Sequence, residues 1–258
     1  IGARSGEVVA ADLDADGAPE LFGLGGADGI VVLRGVRTGA WLTVTEPEQV
    51  PFAFDLLVAD VNGDRIDDIV VPNLDSFTIA LGSRSGDFRI SDVVIDNAAF
   101  AAAARANEDA RTDLYVSDAF GGGLRLLTSG ASGAFEVARS WASPYDLLEI
   151  QTADLDRDGL DDFVARHASG LVSGLARGPE TLTEIPITVG ELRLADVTGD
   201  GLPDIVGSDA TDGSNVALRF ARGLGTGAFA TVELVPTTLF QDFDAGDLDG
   251  DGRAEVVV

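Results

Sequence analysis

The feature that most constrains this chain is an acidic nine-residue segment that occurs six times in 258 residues. Its pattern is Asp-x-Asp-x-Asp-Gly-x-x-Asp or a close variant, and the first positions of successive copies lie 42 to 51 residues apart. We call the copies loops 1 to 6 and number their positions 1 to 9; they span residues 12–20, 60–68, 105–113, 154–162, 196–204 and 247–255. A repeat of this length is typical of repeated supersecondary units, among them the four-stranded blades of propellers.

The segments between the loops have the pattern of short β-strands. Apolar runs of four to eight residues, often β-branched, alternate with turns rich in Gly, Asp and Asn. Each complete repeat offers four such runs, and in four repeats a Gly-rich turn that ends in an aromatic residue precedes the fourth run, as in 130–135 and 223–229. Segment 97–105 is rich in Ala and has good helix propensity, but its place in the repeat predicts the inner strand of the third blade. Four strands per repeat without a clear helix predict an all-β propeller of four-stranded antiparallel blades.

The loops, the Gly-x-Gly-x-Phe turns and the period resemble the FG-GAP/VCBS family of calcium-binding β-propellers over essentially the whole chain. The integrin α-subunit head and several bacterial and fungal lectins belong to that family. The resemblance implies a single propeller domain over 1–258, with about five and a half blades covered, as part of a seven-bladed ring. We place the repeats at approximately 1–48, 49–95, 96–144, 145–188, 189–238 and 239–258. The last repeat holds only two strands, so we expect this chain to be part of a longer protein.

The spacing of oxygen-bearing side chains in the loops predicts calcium sites. Side chains at positions 1, 3 and 5 of a tight loop can converge on one cation, position 7 can add a backbone carbonyl, and a carboxylate at position 9 can bind with both oxygens. An all-oxygen, ligand-rich loop favours Ca²⁺ over Mg²⁺, and zinc is disfavoured because the chain has no Cys and one His. The predicted ligands are Asp12, Asp14, Asp16, Ala18 and Glu20; Asp60, Asn62, Asp64, Ile66 and Asp68; Asp154, Asp156, Asp158, Leu160 and Asp162; Asp196, Thr198, Asp200, Leu202 and Asp204; and Asp247, Asp249, Asp251, Arg253 and Glu255.

These five loops differ as ligand sets. Loops 1, 4 and 6 each carry four carboxylates and have Gly at position 6, where the backbone can take a positive φ at little cost. Loop 5 has Thr198 at position 3. Loop 2 has Asn62 at position 3 and Arg65 at position 6, and a left-handed non-Gly residue costs roughly 1–2 kcal/mol. We therefore expect about five calcium sites, with weaker binding or a shifted turn in loop 2.

Loop 3 departs most from the pattern. Arg105 replaces the first Asp, and Ala110 replaces Gly at position 6. A guanidinium beside Asp109 and Asp113 can neutralise both carboxylates without a metal ion. We predict that this loop is metal-free and is held by an internal ion pair.

The charge of the chain limits its partners and points to its location. The sequence contains 44 acidic and 17 basic residues, for a formal net charge of −27. Bound calcium would offset only part of this charge, and the remainder argues against binding to nucleic acids or anionic membranes. Without metal the clustered carboxylates repel one another, so metal binding is expected to stabilise the folded state. Calcium sites of this kind suit a secreted, periplasmic or cell-surface protein.

Other aspects of composition add little more. The absence of Cys excludes disulfides, and no apolar run approaches the roughly 20 residues of a membrane-spanning helix. All basic residues apart from the single His are Arg, and Ala, Gly and Asp are abundant. This composition suggests a bacterial genome of high GC content.

Few side chains outside the loops suggest chemistry. His167 is the only histidine and has Ser169 and Ser173 nearby, but no nucleophile-elbow sequence surrounds them, and we predict no enzymatic activity. Trp141 and Tyr145 lie in the connection between the third and fourth repeats. We take both as candidate ligand-surface residues, because exposed aromatic side chains stack on sugars and anchor partners. Packing beneath that connection is the alternative.

Together these features predict a non-enzymatic, extracellular, calcium-binding β-propeller that mediates adhesion or recognises a glycan or protein ligand. Two alternatives stay open. The propeller can be a structural or assembly subunit of a larger surface complex or filament, or an accessory domain of a larger secreted enzyme or toxin. The first function predicts a saturable ligand, the second predicts large interfaces with neighbouring chains, and the third predicts catalytic sequence outside 1–258.

Overall fold

The computed structural model of the chain is all-β, and the residues that it describes contain no helix. These are residues 2–4, 8–24, 30–35, 41–45, 55–73, 76–85, 89–95, 97–119, 121–209, 217–238, 240 and 242–258. The strands form five antiparallel sheets of four or five strands and one sheet of two. This confirms the predicted fold class of four-stranded antiparallel units.

The first compact unit covers 1–120 and 124–140 and contains two sheets and most of a third. Strand β1 (Gly2–Arg4) pairs antiparallel with the first strand of the second sheet. The first sheet consists of β2 (Val8–Ala11), β3 (Glu20–Leu24), β4 (Ile30–Gly35) and β5 (Trp41–Thr45). The second consists of β6 (Asp55–Ala59), β7 (Asp68–Asn73), β8 (Ser76–Leu81) and β9 (Arg89–Val94). The third consists of β10 (Ala98–Ala104), β11 (Asp113–Asp118), β12 (Gly123–Ser129) and β13 (Phe135–Ala142).

The second compact unit covers 121–123 and 141–258. The fourth sheet consists of β14 (Leu147–Ala153), β15 (Asp162–His167), β16 (Gly170–Gly174) and β17 (Thr183–Ile185). The fifth consists of β18 (Val189–Ala195), β19 (Asp204–Asp209), β20 (Ala217–Ala221) and β21 (Glu233–Pro236). The sixth has the two strands β22 (Asp244–Gly246) and β23 (Glu255–Val257).

Buried apolar side chains hold neighbouring sheets together within each unit. In the first unit Leu57 and Phe77 of the second sheet belong to the same buried cluster as Leu114 of the third. In the second unit Leu171 of the fourth sheet belongs to the same cluster as Ile205 of the fifth. Each fully buried aliphatic or aromatic side chain contributes about 1.5–3 kcal/mol, so these clusters are the main source of stability in both units.

The Ala-rich segment shows how tertiary packing overrides helix propensity. Ala98–Ala104 is strand β10 and pairs with β11, as in the register of Ala102 with Tyr115. Ala98 is fully buried, and the first strand of the sheet therefore uses side chains small enough for close packing. The strand prediction for this segment is confirmed.

All six acidic loops occupy the same topological position. Each joins the first two strands of its sheet, apart from the added strand β1, so the loop begins where one strand ends and position 9 opens the next. The described residues include no helix long and apolar enough to cross a membrane.

Candidate metal sites in the acidic loops

Five of the loops share one backbone course, in which positions 4 and 6 are both left-handed. The residues at position 4 are Ala15, Gly63, Arg157, Gly199 and Gly250, and those at position 6 are Gly17, Arg65, Gly159, Gly201 and Gly252; their φ values lie between 56° and 88°. Arg65 holds φ 66°, so loop 2 keeps the common turn and the predicted alternative of a shifted turn does not occur. The requirement at position 4 was missed, although glycine occupies it in three loops.

The carboxylate at position 1 organises each of these loops by accepting backbone hydrogen bonds. In loop 4, Asp158 N donates to Asp154 Oδ1 over 3.1 Å, and Gly159 N donates to Asp154 Oδ2 over 3.0 Å. The same pair of bonds recurs at Asp12, Asp60, Asp196 and Asp247. This carboxylate therefore draws its own loop into a tight turn without a metal ion.

Apart from Thr198 in loop 5, the side chains at positions 3 and 5 of these five loops each accept the backbone N–H two residues later. In loop 4, Asp156 Oδ1 accepts from Asp158 N and Asp158 Oδ1 accepts from Leu160 N, over 3.1 and 2.9 Å. A carboxylate offers about four lone-pair positions, so each of these groups keeps acceptor capacity for a cation.

In loops 2 to 5 the position 9 carboxylate is buried and joins the loop to the end of the third strand or to the residues just after it. Asp162 is 1% exposed; its Oδ2 accepts from Leu155 N over 3.0 Å and its Oδ1 from Ala176 N over 2.7 Å. Asp68, Asp113 and Asp204 use one oxygen in the same way toward the third strand. The carboxylate predicted to bind a metal with both oxygens therefore also acts as a structural acceptor.

Burial raises the pKa of several position 9 carboxyls. Desolvation raises the pKa of Asp68 and of Asp162 to about 7, and backbone hydrogen bonds oppose this only in part. Desolvation raises the pKa of Asp113 to about 6. In the metal-free protein these carboxylates are thus unfavourable as anions, and a cation placed beside them would relieve that cost.

Three loops bring carboxylate oxygens close enough for one calcium ion. In loop 1 these belong to Asp12, Asp14 and Glu20, in loop 4 to Asp154, Asp156 and Asp162, and in loop 6 to Asp247, Asp249 and Asp251; within each group the oxygens lie within 4.8 Å of one another. Ca²⁺ binds oxygen at about 2.3–2.6 Å, so two oxygens on opposite sides of one ion lie about 4.6–5.2 Å apart. The residues present in these loops therefore fit calcium. Loop 2 has the same course with Asn62 at position 3, where an amide oxygen replaces one carboxylate.

Loop 3 contains an internal ion pair, in which Arg111 is the partner of Asp109. Arg111 donates from Nη2 to Asp109 Oδ2 over 2.5 Å and from Nε to the Ser129 carbonyl over 2.8 Å. Asn107 Nδ2 donates to Asp113 Oδ2 over 2.8 Å. The sequence had assigned the neutralising guanidinium to Arg105, which lies on the exposed surface at position 1.

Loop 5 also carries an arginine on a predicted ligand. Arg222 Nη2 and Nε both donate to Asp200 Oδ2, over 2.6 and 2.9 Å, and this pairing lowers the pKa of Asp200. The Thr198 hydroxyl lies 3.4 Å from Asp196 Oδ1 and donates to it. Loop 5 thus has the common backbone course but an ion pair at position 5.

Within each compact unit, backbone hydrogen bonds link loops of neighbouring sheets. The position 1 carbonyl of one loop accepts from the position 8 N–H of the next: Asp12 O from Asp67 N, Asp60 O from Thr112 N and Asp196 O from Ala254 N, over 3.4, 2.9 and 2.8 Å. Position 8 of loop 5 is Pro203, which has no N–H. There Arg157 of loop 4 donates instead to the carbonyls of Asp200 and Gly201.

The aromatic candidates lie in the second unit, and one of them is corrected. Trp141 is 1% exposed and packs edge to face on Phe163 with ring centroids 5.1 Å apart, so its prediction as a ligand-surface residue is wrong. Tyr145 is half-buried and stacks at 3.9 Å on His167, and its hydrogen bond with Glu184 raises the pKa of the phenol. His167 is itself 5% exposed and lies 3.2 Å through Nδ1 from Ser169 Oγ. The structure thus places this histidine beneath a tyrosine ring.

Comparison with known proteins agrees with the geometry. A family model described as an FG-GAP-like repeat matches residues 12–71 and 196–258, which contain loops 1, 2, 5 and 6. An Agrocybe aegerita lectin that recognises non-reducing terminal N-acetylglucosamine is similar with 18% identity and a TM-score of 0.71, over 98% of this chain and 74% of the lectin. BBS1N, solved in complex with ARL6DN, is similar with 14% identity and a TM-score of 0.64, over 96% and 72% of the two chains.

A more distant similarity is found with the Photorhabdus luminescens Tc holotoxin pore: 16% identity and a TM-score of 0.52, over 97% of this chain and 13% of that one. The search of the curated proteins finds no match. At identities this low the solved structures show the fold alone, and the fold they show is a β-propeller.

Proposed function

Since this chain is a β-propeller built from FG-GAP-like repeats, we propose that it is a calcium-stabilised, non-enzymatic recognition module that acts outside the cell. The observation that carries the proposal is the convergence of three carboxylate oxygens within 4.8 Å in each of loops 1, 4 and 6. The same loops are the connections that position the first two strands of each sheet, so a bound ion would stabilise the fold where neighbouring loops meet.

Calcium would act here as a structural ion. In loop 4, Asp154, Asp156 and Asp162 would hold it, and loop 1 would use the corresponding Asp12, Asp14 and Glu20. Loop 6 would use Asp247, Asp249 and Asp251, and loop 2 would supply Asp60, Asn62 and the remaining predicted ligands. The ion would supply positive charge next to carboxyls whose pKa burial raises to about 7. Its binding stabilises only the folded state, because the unfolded chain does not bring these oxygens together.

The surface available for a ligand includes an open cleft between the fifth and sixth sheets, with a volume of about 520 Å³. Thr198, Asp251 and Arg253 offer polar groups to the cleft, and Phe220 offers an aromatic ring. A ring beside planar polar groups suits a sugar, which presents apolar C–H faces and hydroxyls together. The similarity to an N-acetylglucosamine-binding lectin makes a glycan the first ligand to test, with a protein ligand as the alternative.

The metal part of the proposal is tested by thermal unfolding in EGTA and in calcium. We expect calcium to raise the melting temperature of the chain, and we expect Asp154→Asn to reduce that increase. Asp109→Asn is the control, because it removes a loop carboxylate from position 5 of loop 3, where we expect no calcium, and its response to calcium should equal that of the unchanged chain. An identical melting temperature in EGTA and calcium would refute calcium as a structural ion.

The recognition part is tested on a glycan array that includes terminal N-acetylglucosamine. Saturable binding that Arg253→Ala weakens would support the cleft as the site, because this substitution removes an exposed guanidinium and keeps the backbone carbonyl of loop 6. Val137→Ala, an exposed apolar change on β13 in the other unit, is the control. If the chain bound no glycan on the array in the presence of calcium, the glycan proposal would be refuted and a protein ligand would be the alternative.

A further inference from the structure

Arg222, just after the third strand of the fifth sheet, forms an ion pair with a predicted calcium ligand of loop 5. Two nitrogens of Arg222 contact the same oxygen of Asp200, while the other oxygen of that carboxylate accepts from Leu202 N over 3.0 Å. Asp200 is the position 5 residue, one of the ligands predicted from the sequence to face the cation. Both of its oxygens are therefore already engaged by groups of the protein.

Three of the other loops that keep an Asp at position 1 differ at this point. In loops 2, 4 and 6 the position 5 carboxylates of Asp64, Asp158 and Asp251 each accept from a backbone N–H through Oδ1. Among the residues that the structure describes, no arginine forms an ion pair with any of the three. An arginine paired with the position 5 carboxylate thus distinguishes loop 5 from these three loops. Loop 3 has a similar ion pair, between Arg111 and Asp109.

The register of the fifth sheet explains why Arg222 reaches the loop. Ile205 pairs with Ala221, so the next residue of the third strand, Arg222, lies opposite Asp204 at position 9. The equivalent residues of the second and fourth sheets are Leu81 and Leu175, which carry no charge, whereas the first sheet has Arg34 in this register. An arginine in this register stands beside the loop opening, with its side chain 56% exposed and free to extend along the surface to Asp200.

Two other predicted calcium ligands of loop 5 also form hydrogen bonds within the protein. Asp204 is fully buried and accepts three backbone hydrogen bonds, from Val197, Thr198 and Gly223. The Thr198 hydroxyl donates to Asp196, so it contributes no negative charge and its hydrogen is directed at a neighbouring predicted ligand. Compared with loop 4, loop 5 has lost one carboxylate to Thr and gained one positive charge.

We infer that the Arg222 guanidinium takes the place of the divalent cation in loop 5, so that this loop stays metal-free at calcium concentrations that fill the other intact loops. The inference rests on the proposed calcium binding and corrects the expectation of a fifth site. A fixed positive charge on Asp200 opposes a second cation electrostatically, and it removes an oxygen that the cation needs. Loops 3 and 5 would then be held by arginine, and their shape would not depend on calcium.

The test counts bound ions in the full chain by native mass spectrometry after EGTA treatment and exchange into calcium alone. Arg222→Ala is expected to bind one more Ca²⁺ than the unchanged chain, and Arg222→Ala combined with Asp200→Asn is expected to return to the original count. The control is Arg219→Ala, which breaks the Arg219–Asp209 ion pair of the same sheet and should leave the count unchanged. Circular dichroism would show that each variant is folded.

The possible outcomes separate this inference from the proposed function. Equal, nonzero counts for the unchanged chain and Arg222→Ala would overturn the inference and leave the calcium proposal standing. Counts of zero for both would overturn both. An ion bound only by Arg222→Ala would support the inference while refuting calcium as the structural ion of the unchanged chain.

Discussion

Replacing the buried Asp162 by Asn should change stability in opposite directions with and without calcium. Asp162 is 1% exposed, and burial raises its pKa from 3.8 to about 7. A shift of about three units, at about 1.4 kcal/mol each, means that the carboxylate charge costs the metal-free folded state about 4 kcal/mol at pH 7.5. Asn carries no charge and avoids this cost.

The substitution also has a cost of its own. The Asn side chain keeps one acceptor oxygen, so one of the two N–H donors, from Leu155 or Ala176, loses its partner. A buried unsatisfied donor costs about 1–3 kcal/mol, which leaves a net gain of about 2 kcal/mol in EGTA. For a chain of this size this gain raises the melting temperature by about 4–8 °C.

Calcium reverses the order of the two proteins. At a free calcium concentration of about 1,000 times Kd, one site adds about 4 kcal/mol to the stability of the unchanged chain. Asp162→Asn lacks the charged ligand, so it forgoes this gain and becomes less stable than the unchanged chain by about 2 kcal/mol.

The measurement is the melting temperature of both proteins at pH 7.5 in EGTA and in excess calcium. Asp113→Asn is the matched control, because Asp113 is equally buried at position 9 but belongs to loop 3, which we predict to be metal-free. Its effect should be the same in both buffers. If Asp162→Asn changed the melting temperature by the same amount and sign in both buffers, the reasoning that makes Asp162 a calcium ligand would be refuted.

Two further predictions follow from the buried carboxyls and the strained turns. In EGTA, stability should fall as pH rises from about 5 to 7, because the raised pKa values of Asp68, Asp162 and Asp113 let the folded state bind more protons than the unfolded state. The melting temperature should fall less across this pH range in calcium, and in EGTA a variant with all three residues changed to Asn should show a flatter pH profile. Arg65→Gly should raise the free energy of unfolding by about 1 kcal/mol, because Arg65 is left-handed. The control is Glu108→Gly in loop 3, where the residue is not left-handed, and it should lower the free energy of unfolding by about 0.4–1 kcal/mol. If the turn at Arg65 were unstrained, urea unfolding would show a loss of stability for Arg65→Gly as well.

The fold could be predicted from the sequence because its determinants are local and repeated. Short β-branched runs, Gly-rich turns and a fixed period each indicated strands, and the repetition outweighed the helix propensity of the Ala-rich segment that became β10. The ligand spacing within each loop was equally local. Of the 1-3-5-9 set predicted for loop 4, the carboxylates at positions 1, 3 and 9 lie together.

What the sequence did not reveal depends on contacts between distant residues. Arg222 follows position 9 of its loop by 18 residues, and only the strand register places it beside Asp200. The buried role of Asp162 depends on the N–H of Ala176, at the end of the third strand. Trp141 carried no local signal that distinguishes an exposed aromatic ring from one packed on Phe163. Only the left-handed position 4 had a local signal, its glycines, and that signal was overlooked.

The acidic loops are candidate metal sites, and they also connect neighbouring sheets through hydrogen bonds. The residue at position 1 takes part in both. The residue at position 1 offers its carboxylate to its own loop and its carbonyl to the next loop, as Asp196 does toward Gly201 N and Ala254 N. An ion that fixes this residue would fix the neighbouring sheet as well, so calcium would stabilise contacts beyond the loop that binds it. Where Pro203 removes the N–H, Arg157 restores the connection through its side chain, although this places an arginine in a left-handed conformation.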